Sequence, residues 1–199
     1  MFKKLGFTMI ELLIVIAVLG ILAVAVLAAI NPIEQINRGK DTGSRSDAEQ
    51  LLSAIDRYYA SQGYYPWRNG EDDVETDGSA PLGTGDAFVG VNQTDFVNTS
   101  GTSVLDELSA GGTAELKTSF VNRVTADAYN ELKAFNRGTQ GDSTYVCFVP
   151  KSGSFLEEAN TRCGGTGTNF GEDLPDDLAP VADSVCVAED NPLNMVCLP

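Results

Sequence analysis

The chain has 199 residues, with 13 Lys and Arg against 28 Asp and Glu, no His, and a formal net charge of −15. Without His there is no His-dependent triad, Cys–His dyad or imidazole metal site, and the acidic balance argues against direct nucleic-acid binding, because phosphate recognition needs a basic surface. The charge is uneven: residues 1–68 hold 7 basic and 6 acidic side chains, whereas residues 69–199 hold 6 basic and 22 acidic, a net of −16.

The first predicted element is an apolar helix. Residues 12–30 are 19 consecutive side chains without charge or strong polarity. At helical rise they span roughly 28 Å, close to the hydrocarbon core of a bilayer. Lys3 and Lys4 flank the run and place the N-terminus in the cytoplasm by the positive-inside rule. Three readings fit: a single-pass anchor holding an extracytoplasmic binding module, a secretory signal cut near Ala23-Val24-Ala25, and a processed filament helix. The run is longer than the apolar region of an ordinary signal.

Glu11 separates these readings, because a carboxylate at the edge of an apolar helix is costly unless paired. A cut between Gly6 and Phe7 removes both lysines and creates an ammonium at Phe7, four residues before Glu11. Helices stacked with a one-step axial offset then pair each Glu11 with a neighbour's amine, which sets register more than it adds stability. The simpler alternative is that Glu11 caps the helix start against the macrodipole.

Lys3-Lys4-Leu5-Gly6, the following Phe7-Thr8-Met9-Ile10-Glu11-Leu12-Leu13-Ile14-Val15, and Gly20-Ile21-Leu22-Ala23 together resemble the class III signal of type IV prepilins and pseudopilins. The resemblance covers residues 1–30 and extends loosely to about residue 67. It implies cleavage after Gly6 by prepilin peptidase, N-methylation of Phe7, and Glu11 as the residue that pairs with the new amine during assembly. It implies a precursor held single-pass in the inner membrane, then drawn by the membrane assembly machinery into a helical homopolymer outside it. Gly20 matches as a helix-packing position. The kink-forming proline is Pro32, later than the family's usual place. The implied organisation is a leader at 1–6, a membrane and filament-core helix at 7–31, the outer half of the long helix at 32–67, and an acidic α+β head at 68–199. A type II secretion pseudopilin fits the same signal.

Beyond Pro32 the sequence weakens as a helix. Gly39 and Gly43 lie in a polar stretch, and Ser46-Asp47-Ala48-Glu49 has the form of a capping box. Local rules therefore predict a soft segment at 39–45 and a restart at Ser46. The resemblance instead implies one long helix from about Phe7 to Ser61. The expectation adopted is the long helix, softened at 39–45. Ala48, Leu51, Leu52, Ile55 and Tyr59 mark an amphipathic face, and Gly63 with Pro66 ends the helix. Tyr58, Tyr59, Tyr64, Tyr65 and Trp67 form an aromatic cluster, read as packing of the helix on a sheet.

Residues 69–86 read as a loop in which Asp73, Glu75 and Asp77 form a weak calcium candidate; Thr84 stands where an EF-hand wants Glu. Short helices are expected at 103–110 and 114–125, and the clearest strand at 144–150. Further strands are expected at 185–187 and 195–197. The expected fold is α+β, with the long helix packed at its C-terminal half on a small antiparallel sheet. Cys147, Cys163, Cys186 and Cys197 suggest two disulfides in a domain outside the membrane. Local loop closure favours Cys147–Cys163 and Cys186–Cys197. The second pairing also matches the family habit of tying down a C-terminal loop. A Cys₄ zinc site lacks any C-x₂-C pair. With no phosphate-binding or nucleophile motif present, neither an enzyme nor a cofactor is expected.

Overall fold

The computed structural model describes residues 6–29, 31–70, 82, 87–91, 96–110, 114–139, 141–164, 174–187 and 193–199. The chain divides into two units, residues 1–36 and 37–199.

The first unit holds helix α1 (Met9–Ala29) and the start of α2 (Pro32–Gln62). Asn31 is not helical, and Pro32 is the first residue of α2. Its missing N–H is an orphan at that position in any case. The Asn31 carboxamide accepts the Glu34 N–H at 3.4 Å, as a cap does. The interruption therefore falls before Pro32, and the expected soft segment at 39–45 is helical throughout. Ser46 lies inside the helix, so the capping-box pattern there marks no restart.

Tertiary contacts explain why a weak helical sequence stays helical. Asp41 is fully buried. Its carboxylate accepts the Lys151 N–H at 3.0 Å, the Ser152 N–H at 2.7 Å and the Ser152 hydroxyl at 2.6 Å. One turn and a half later, Asp47 accepts the Arg123 guanidinium and the Tyr129 hydroxyl, the latter at 2.6 Å. Burial and the Asp47 charge push the Tyr129 phenol well above its usual range. Two carboxylates, roughly 120° apart around the helix, thus fasten α2 to the body at two places, outweighing the roughly 1 kcal/mol that each interior Gly costs.

The second unit contains β1 (Val89–Gly90), α3 (Val104–Ser109), α4 (Thr118–Val124), β2 (Leu132–Phe135), β3 (Tyr145–Phe148), α5 (Gly153–Arg162), a 3-10 turn (Asp176–Val181), α6 (Ala182–Val185) and β4 (Val196–Leu198). The strands form one antiparallel sheet in the order β1-β2-β3-β4. All four residues of β3 are buried, so both faces of the sheet are covered. Val146 and Phe148 join Leu51, Ile55 and Tyr58 of α2 in the larger core cluster. Their neighbours Tyr145 and Cys147 point the other way, into a cluster with Leu178, Val181 and Val185. The α+β expectation, with the C-terminal half of the long helix on a small antiparallel sheet, describes this arrangement.

The C-terminal region departs from expectation. Residues 182–185 are helical and Cys186 follows them in irregular backbone, so no strand forms there. The disulfides are Cys147–Cys197 and Cys163–Cys186, not the two local pairs. Strand register decides this: Cys147 on β3 faces Cys197 on β4 directly, with Cα atoms 4.0 Å apart. The second bond ties the end of α5 to the segment after α6. The aromatic cluster packs as expected. The buried Trp67 stacks on Tyr65 at 4.5 Å, Tyr65 stacks on Tyr59 at 4.7 Å, and Tyr58 meets Tyr64 edge-on.

Candidate processing and assembly site

Thr8 precedes the first helical residue and acts as the N-cap of α1. Its backbone N–H and hydroxyl both donate to Glu11 Oε2, at 2.8 and 2.6 Å, while the Glu11 N–H points back at the Thr8 hydroxyl oxygen at 3.3 Å. This is a reciprocal capping box. The sequence carried its signature as Thr8-x-x-Glu11, although the capping partner was not identified there. The cap occupies one carboxylate oxygen only. A carboxylate offers about four lone-pair sites, and Oε1 has no partner among the described residues. Capping within the chain and pairing with a second chain are therefore compatible.

Gly6 and Phe7 precede this cap in non-helical backbone, and Phe7 is 87% exposed. A Cβ placed on Gly6 would meet nothing within 4 Å among the described residues, so none of them requires glycine there. The same holds for Gly20. Lys3, Lys4 and the calcium candidate Asp73, Glu75 and Asp77 lie outside the described residues. Among the described residues no group of three or more acidic or Cys side chains is placed to hold a metal.

From Phe7 to Leu27, fifteen large apolar side chains are exposed. Met9–Leu27 is long and apolar enough to cross a membrane, and none of it is buried in the chain. Exposing a large apolar side chain to water costs about 1.5–3 kcal/mol, so this surface represents on the order of 20 kcal/mol or more. It needs lipid or other helices around it.

The prokaryotic N-terminal methylation motif matches residues 1–27. This segment is the class III prepilin signal of type IV pilins and pseudopilins. It covers the cleavage position, the Thr8–Glu11 cap and most of α1. The match covers residues 1–27 of the 199, so the likeness to prepilins is that of the N-terminal segment, whose apolar helix fits membrane anchoring of a precursor. Proteins with this signal are structural rather than enzymatic as a group. No curated protein and no solved structure matches the chain.

Proposed function

We propose that this chain is a structural subunit of a type IV pilus or pilus-like filament, without catalytic activity of its own. Prepilin peptidase cuts between Gly6 and Phe7, separating a leader at 1–6 from the mature chain, and methylates the Phe7 amine. The helix at 7–31 waits in the inner membrane until the assembly machinery inserts it into the filament core. The outer helix at 32–67 carries the acidic head at 68–199 to the filament surface. The observation that supports this most is an apolar, exposed α1 with a single carboxylate at its start, one oxygen of which has no partner among the described residues.

In hydrocarbon, apolar contact alone does not drive helices together, because lipid is as apolar as leucine. Polar groups and small residues do so instead. Glu11 supplies the polar group, its Oε1 accepting a neighbour's Phe7 amine, and Gly20 supplies a place of close approach. The test compares whole-cell, membrane and sheared fractions of Glu11→Ala with wild type. The variant is expected to be cut normally and to fall at least tenfold in sheared filaments. Wild-type yield would remove Glu11 from assembly, and absence of the wild-type chain from sheared filaments would remove the filament role altogether.

A further inference from the structure

We propose that a basic cleft on the second unit is the docking groove for an acidic segment of a second copy of this chain. The proposal rests on the filament reading, which brings copies side by side. The cleft has a volume of about 450 Å³ and lies between α2 and the segment joining α4 to β2. Lys40 and Lys151 line it, with Arg123 and Asp47 on the same walls and Gly43 between them on α2.

The charges in the cleft do not cancel. Asp47 is taken up by Arg123, whose guanidinium it binds through both carboxylate oxygens, and by the Tyr129 hydroxyl. Lys40 and Lys151 have no acidic partner among the described residues. Elsewhere on this unit Arg45, Arg57, Arg137 and Arg162 are in ion pairs, while Arg38, Lys117 and Lys133 have none among the described residues but do not line the cleft. Two unpaired ammonium groups therefore share one cleft on a body whose residues 69–199 carry a net of −16.

Copies of so acidic a body repel when packed together unless opposite charges meet at the contact. Only groups within about 8–10 Å of each other count at physiological salt. Five of the seven residues at 71–77 are acidic (Glu71, Asp72, Asp73, Glu75 and Asp77), the densest such run in the sequence. That run is the occupant the cleft's charge fits.

The experiment uses zero-length carbodiimide coupling in intact sheared filaments. One full-length variant carries Lys40→Arg and Lys151→Arg, which keeps the charge but cannot couple. A second carries Gln or Asn at the five acidic positions of 71–77. Neither alone can join Lys40 or Lys151 to that run, whereas filaments made from both are expected to yield a covalent dimer with this link, read by peptide mass spectrometry. Lys40→Glu with Lys151→Glu is expected to lower filament yield at least tenfold, and Lys at positions 71–73 of that variant to restore it to within about twofold. Filaments of both variants without the link overturn the proposal, as does a Lys40 or Lys151 link to residues 71–77 formed within unassembled, detergent-solubilised wild-type single chains. A wild-type chain that forms no filaments fails at the earlier step and overturns the filament reading as well.

Discussion

Asp41 gives the sharpest test of how this head is held together. Asp41→Ala leaves the Lys151 N–H, the Ser152 N–H and the Ser152 hydroxyl without their buried acceptor. A hydrogen bond to a charged group contributes about 1.5–3 kcal/mol, and a stranded buried donor costs a comparable amount. Water entering the small space left by the carboxylate recovers part of this, so a net loss of about 4 kcal/mol is expected. For a chain of this size each kcal/mol moves Tm by about 2–4 °C, giving a fall of about 8–16 °C. Asp41→Asn keeps one acceptor oxygen and loses the charge, and is expected to cost about half as much. The assay is thermal unfolding of the full-length chain in detergent, followed by circular dichroism. Hydrogen exchange adds a local readout: amides of residues 39–45 should lose protection ahead of those near Leu51 and Ile55, because the Asp41 contacts oppose the poor helix propensity there. A Tm within about 2 °C of wild type for the Ala variant, with residues 39–45 still protected, would refute the reasoning.

Other consequences are as direct. The Arg137 guanidinium, helped by Thr139, holds the Asp142 carboxyl down to about 2 from 3.8. A lowered folded pKa contributes stability that is complete above the unfolded value and lost as pH falls from about 4 to about 2. Arg137 is partly solvent-screened, so Asp142→Asn should remove only about 1 kcal/mol of that acid dependence, read from urea midpoints across this range. The Cys147–Cys197 bond spans 50 residues and Cys163–Cys186 spans 23. Chain entropy then predicts losses of about 4 and about 3 kcal/mol for Cys197→Ser and Cys186→Ser, with non-reducing peptide maps of the wild type showing these two pairs and no others. Gly39 is helical and exposed, and a Cβ there meets no described residue beyond its own helix within 4 Å, so Gly39→Ala should raise stability by about 0.5–1 kcal/mol in the same urea titration.

The N-terminal segment was legible in the sequence because its physics is local. A run of apolar residues, a basic flank and one carboxylate at fixed spacing need no tertiary context. The amphipathic face from Ala48 to Ile55 and the strand around Val146 were legible for the same reason: burial imposes a period. What the sequence hid was set by residues far apart. Gly39 and Gly43 pointed to a soft segment, but Asp41 reaches across to Ser152, 111 positions later, and holds the helix. The local Cys pairing assumed that short loops close first, whereas sheet register put Cys147 opposite Cys197. Val185-Cys186-Val187 has strand composition, yet the turn of helix before it and the bond to Cys163 fix it in another form. Helix α5 drew no expectation, although Phe155, Leu156 and Ala159 stand at helical spacing after Ser152. Its N-cap serine spends its hydroxyl on Asp41 instead of on its own helix.

The central claim is that this chain is cut after Gly6 and polymerised through α1. Mass spectrometry of the N-terminal peptide from sheared surface filaments tests it most directly. The expected chain begins at Phe7 and bears one added methyl group. A chain that begins at Met1 and stays in the membrane, or one that begins near Val26 in the medium, would contradict it.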